Sequence, residues 1–333
     1  MTDREPNTEA DDTGRDVDSN ESVREAVERS RHGAPAAGAV VRDRFDTNEV
    51  FQRILVAADE EMGTGLRELF FSGLAAGFAI TITYLVYASL TASTGGDPIL
   101  SALLYPIGFV YIILGRYQLY TENTLPPVAL VLERLASFPA LFRTWTLVLI
   151  GNFAGGALGA LVLAYTGVLS DPATVAATNL AMKGIQTPFW DLFFKAGFAG
   201  LVVAGVVWLD YSARDTISRL VLVYMAFLVI PYADLFHVVV SFTETMFLVY
   251  TGQVAVVSSL TGFVLPVLLG NTLGGVLLVT VVNYFQTTER RVEAARKEGT
   301  KRMLSIREWL FGGLVGRSYV PSRDEDYPRS GDD

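Results

Sequence analysis

Residues 98–132, PILSALLYPIGFVYIILGRYQLYTENTLPPVALVL, and residues 217–250, ISRLVLVYMAFLVIPYADLFHVVVSFTETMFLVY, are long apolar stretches, each interrupted near its middle by polar residues or proline. At ~1.5 Å per helical residue each would reach ~50 Å, whereas the hydrocarbon layer of a bilayer is ~30 Å thick. Neither can be one straight spanning helix, so both are expected to break inside the membrane. Backbone freed at membrane depth is tolerated only where protein covers it or a cavity receives it, and two such breaks point to a solute pathway.

Composition agrees. Hydrophobic residues make up 51% of the chain and charged residues 18%, and most charges stand before residue 68 or after 286. The first 50 residues hold 13 acidic and 7 basic side chains, so residues 1–46 are expected to form a disordered acidic tail. Residues 287–333 read as a charged cytoplasmic tail. Arginine outnumbers lysine 22 to 4 and the net charge is −9, which points to a halophilic prokaryote whose acidic surfaces stay hydrated in salt. There is no cysteine, so thiol chemistry and disulfides are excluded.

Between the tails, spans are expected at 68–93, 98–132 (broken), 142–166, 189–210, 217–250 (broken) and 256–285. Basic residues alternate across the connections. Arg42, Arg44, Arg53 and Arg67 precede the first span, Arg134 and Arg143 lie in the second connection, and Arg214 and Arg219 in the fourth. The first and fifth connections have none and the third has Lys183. Both termini are therefore expected in the cytoplasm, with the chain a multi-pass protein of the cell membrane. Residues 47–66 place Val50, Ile54, Leu55 and Met62 near helical spacing. They read as an amphipathic helix, lying on the inner membrane face or docked on a neighbouring subunit.

Two motifs recur in one order. Tyr120-Thr121-Glu122-Asn123 returns as Phe242-Thr243-Glu244-Thr245 after 122 residues, and Gly151-Asn152-x-x-Gly155-Gly156 returns as Gly270-Asn271-x-x-Gly274-Gly275 after 119. Three spans per half force the second half to enter from the opposite side. The expected fold is therefore an all-α membrane domain over 67–286, two inverted three-helix repeats (about 67–166 and 187–286) with helices two and five broken. Asn152 and Asn271 are expected to bond backbone groups freed at the breaks. The glycine ridges allow close helix contact.

Six spans with breaks in the second and fifth, Gln118-Leu119-Tyr120-Thr121, the two Gly-Asn motifs, Val206-Val207-Trp208 and Phe236-His237 together resemble the formate/nitrite transporter family, in order over residues 68–285. That resemblance implies an aquaporin-like fold, a homopentamer with one pore per subunit, and passage of formate, nitrite or hydrosulfide, often with a proton. It implies no cofactor, metal or nucleic-acid partner; the partners would be a small weak-acid solute and the lipid bilayer. His237 matches the family's central pore histidine, and an imidazole can give a proton or hydrogen bond to an anion where water is scarce. Thr121 matches its loop threonine, Leu119 and Tyr120 its apolar gate, and Lys183 lies within a residue of its outer-vestibule lysine. Lys195 either snorkels to the outer surface or joins that vestibule.

Phe109 and Tyr105, upstream on a similar face, are candidates for a dry constriction, against plain packing as the ordinary role of a membrane aromatic. An ion pair of Arg116 with Glu122 or Glu244 is expected to fix the loops. The chain departs from the family at Gln118, Phe236, Ser241 and Gly200, where a glutamate, an acid and two asparagines are usual. A neutral-solute channel or a proton-coupled carrier for another solute stays open as an alternative. A water or glycerol channel would show Asn-Pro-Ala at both breaks, and neither has it. With one membrane histidine and no HExxH or Gly-x-Ser-x-Gly pattern, an enzyme is not expected.

Overall fold

The computed structural model describes residues 45–286 and 304–312. The acidic tail and most of the C-terminal tail lie outside the described residues. Among the described residues every regular element is helical.

The first helix, α1 (Thr47–Gly63), opens on a capping box: Asp46 accepts from the Glu49 N–H while Glu49 accepts from the Asp46 N–H. Its apolar face, Val50, Phe51, Ile54, Leu55, Ala58 and Met62, is buried within its own chain rather than awaiting another subunit. Arg53 ties it to the bundle by donating to the Tyr211 carbonyl at 2.7 Å.

Among the described residues five helical stretches are long and apolar enough to cross a membrane: α2 (Leu66–Ser93), Pro98–Gly115 with a turn inside it, α6 (Phe138–Tyr165), α8 (Phe189–Ser212) and α11 (Val256–Gln286). Helix α11 carries π-helical turns at Leu260–Val264 and Gly274–Val281, on either side of Asn271. The stretch 98–132 is divided as expected, into α3 (Pro98–Ala102), α4 (Ile107–Gly115), a 3₁₀ turn (Glu122–Thr124) and α5 (Pro126–Leu132). The stretch 217–250 is divided into α9 (Thr216–Tyr232) and α10 (Val238–Tyr250). The third connection is itself a helix, α7 (Asp171–Gln186), with Lys183 in its last turn. A short helix, α12 (Ile306–Phe311), is tied to the end of α5 through the Trp309 indole, which donates to the Val131 carbonyl.

The breaks share one backbone device. Helix α4 ends with Tyr117 N–H on Ile112 O and Arg116 N–H on Ile113 O, and α9 ends with Leu235 N–H on Ile230 O and Asp234 N–H on Pro231 O. Arg116 (φ 58°) and Asp234 (φ 57°) are both left-handed, so each break opens on a Schellman motif without glycine. Helices α5 and α10 end the same way at Arg134 (φ 55°) and Gly252 (φ 72°). Each of these correspondences is 118 residues long. These shared caps stand in a different register from the repeat expected at Tyr120–Asn123: at 118 residues Glu122 corresponds to Val240, not to Glu244. At the turns themselves the 118-residue spacing pairs like backbone geometry, Arg116 with Asp234, rather than like side chains.

The glycines key α2 to α6 and α8 to α11. A Cβ on Gly77 would overlap the Asn152 carbonyl, and one on Gly200 would overlap that of Asn271. Backbones this close are packed by dispersion and shape, which suits a medium that supplies no hydrophobic drive.

Candidate functional site: the two breaks and the cavity beside His237

Each break is held by a buried asparagine. Asn152 accepts from the Tyr120 N–H at 2.9 Å and donates to the carbonyls of Gly73 and Gln118. Asn271 accepts from the Val238 N–H at 2.8 Å and donates to the carbonyls of Ala196 and Phe236. One side chain in each half thus satisfies groups that two interrupted helices leave open. The expected ion pair of Arg116 with Glu122 or Glu244 does not form. Arg116 lies toward Glu61 and Asp210, while Glu244 stands on the other side of the breaks, so backbone–amide bonding does the work assigned to charge.

At the centre the Nε2 atom of His237 lies 2.8 Å from Thr121 Oγ1, joining the second break to the first. Both are buried. The Phe109 ring meets the imidazole edge-on with centroids 4.9 Å apart, and it stacks on Phe227 at 3.9 Å. Tyr105 packs on Phe109 at 5.7 Å and on Tyr87 at 5.5 Å. Leu119 is fully buried, and the Tyr120 hydroxyl reaches Thr272 at 2.8 Å. The His237 ring nitrogen Nδ1 has no partner.

On one side of His237 opens a cavity of about 40 Å³, with room for one or two water-sized molecules. Tyr87, Tyr105, Lys183, Asp234, Ser241 and Glu244 line it together with His237. Lys183 and Lys195 both bind Asp234, each at 2.6 Å, so Lys195 turns to this side rather than reaching outward alone. On the other side sit Glu61, Gln118, Arg116 and Glu122. Burial pushes the Glu61 carboxyl up to about 7, with Gln118 and Arg116 pulling it back in part. Among the described residues no group of three or more His, Asp or Glu is placed to hold a metal.

Sequence reading missed Phe227, Tyr87 and the role of Asp234 as the hub between two lysines. The signal for Phe227 was present: it lies 118 residues after Phe109, the spacing that the break geometry defines. Asp234 is legible only through that register, as the counterpart of Arg116.

Comparison with known proteins bears on this arrangement. The sequence profile of the formate/nitrite transporter family matches residues 48–285. The inner membrane protein YfdC of Escherichia coli (strain K12) is 27% identical over 258 residues, 74% of this chain and 83% of that protein. The formate channel FocA of Haemophilus influenzae is 23% identical over 251 residues, 66% of this chain and 86% of that protein. Among solved structures, a pentameric formate channel with formate bound superposes with a TM-score of 0.57 at 19% identity, covering 66% of this chain and 97% of that one.

Proposed function

This chain belongs to the formate/nitrite transporter family, and on that footing we propose that each protomer passes small monovalent weak acids, formate or nitrite among them, along a pore running between the two breaks. The observation that carries this reading is the His237–Thr121 hydrogen bond, set against the stacked Phe109 and Phe227 and opening on a polar cavity. We propose further that six spans form two inverted repeats, supported by the shared 118-residue register of caps and aromatic rings. The cavity side faces outward and both termini lie in the cytoplasm, supported by the alternation of arginines. Pentameric assembly is carried over from the solved relative.

The physics runs as follows. Lysines at the cavity raise the local concentration of anions. A bare anion is poorly solvated among Phe109, Phe227 and Leu119, whereas a neutral acid crosses a dry ring at much lower cost. Helix α10 begins at His237, and its N-terminal dipole favours negative charge there. The imidazole can hand a proton or hydrogen bond to the solute as it leaves the cavity.

In proteoliposomes, His237→Asn and His237→Phe should change how formate flux depends on pH while assembly is kept. Unchanged flux at every pH would remove the histidine from the mechanism.

A further inference from the structure

Glu244 lies two turns into α10 on the face that carries His237 and Ser241, at positions four and then three residues apart. All three line the same cavity. Glu244 is 7% exposed, and no hydrogen bond or ion pair within the described residues reaches its carboxyl. Ser241 Oγ and His237 Nδ1 are likewise buried without partners. Three unsatisfied polar groups on one wall of one cavity are costly unless a solute completes them.

The charges around the carboxyl set what that solute can be. Facing it are Tyr84 and Tyr87 of α2, Tyr105, Lys183 of α7, Asp234 and His237, with Lys195 of α8 behind Asp234. The Tyr84 hydroxyl is already committed to the Ala177 carbonyl. Two ammoniums against one Asp234 leave a single positive charge, which an ionised Glu244 cancels and a protonated Glu244 leaves standing. An anion is therefore attracted only when Glu244 carries a proton.

We infer that Glu244 and Ser241 form a binding subsite for a small weak acid, in which the solute anion is held together with a proton on the Glu244 carboxyl. The Glu244 O–H donates to a solute oxygen and Ser241 gives a second hydrogen bond. When the solute moves on toward His237 as the neutral acid, the proton goes with it, the Glu244 oxygen keeps the electron pair, and the resulting carboxylate takes a new proton from a hydronium ion at the vestibule, leaving water. This rests on the proposed weak-acid function and assigns its proton entry to a second group beyond the histidine.

The test is [¹⁴C]formate uptake into proteoliposomes of the full chain, at fixed internal pH and varied external pH, for wild type and Glu244→Gln. Glutamine keeps a neutral donor but holds no transferable proton. The half-saturation concentration of wild type is expected to rise about tenfold per pH unit once Glu244 titrates, and that of Glu244→Gln to lose this slope; Glu244→Asp should restore it. Oligomer size by light scattering separates loss of folding from loss of coupling. A wild-type slope retained in an assembled Glu244→Gln overturns the inference alone. A wild type that carries neither formate nor nitrite overturns it together with the functional reading.

Discussion

Phe109 and Phe227 stack with ring centroids 3.9 Å apart and planes 12° from parallel, and they are 118 residues apart in the chain. The spacing that relates the two broken helices therefore also brings one ring from each to a shared plug beside His237. Both rings are fully buried, so the plug is dry.

Phe109→Ala or Phe227→Ala should open that plug. Either is expected to cost about 3–5 kcal/mol of stability, and the double variant less than the sum because the rings share one contact. Lactate and glycerol should enter proteoliposomes of the single variants faster than those of wild type. Entry rates equal to wild type in assembled single and double variants would place the size barrier elsewhere.

Asn271→Ala strands the Val238 N–H and the carbonyls of Ala196 and Phe236. At ~1 kcal/mol or more per stranded buried group, a loss of about 3 kcal/mol is expected in detergent unfolding. Asn152→Ala should behave alike through Tyr120, Gly73 and Gln118. A loss below about 1 kcal/mol would show that other groups satisfy the breaks.

Glu61 gives a pH dependence of known sign. Its carboxyl titrates at about 7 in the fold against 4.5 ordinarily, because burial disfavours the charged form. Its contribution is present in full below 4.5 and is lost as pH rises through 7. Glu61→Gln should remove a decline on the order of 3 kcal/mol across that window. A wild-type stability curve that the substitution leaves unchanged would contradict the burial of this carboxyl.

The broken helices, the long spans and the two asparagines at the breaks were legible from the chain, because hydrophobic length and buried amides in apolar runs have few other meanings, whereas His237 was singled out through the family resemblance. The repeat register was not. Around Thr121 and Thr243 two residues of four match in identity, whereas the shared backbone turns lie at Arg116 and Asp234, where charged residues of opposite sign adopt one backbone shape. Lys195 was ambiguous for a different reason: its partner Asp234 sits across a break whose geometry decides which way the ammonium turns.

The close backbones at Gly77 against Asn152 and Gly200 against Asn271 make each helix pair a stiff unit that a larger residue would force apart. Each pair lies inside one half of the chain, so the compliance of the fold is left to the short segments at the breaks and to the contact between the halves.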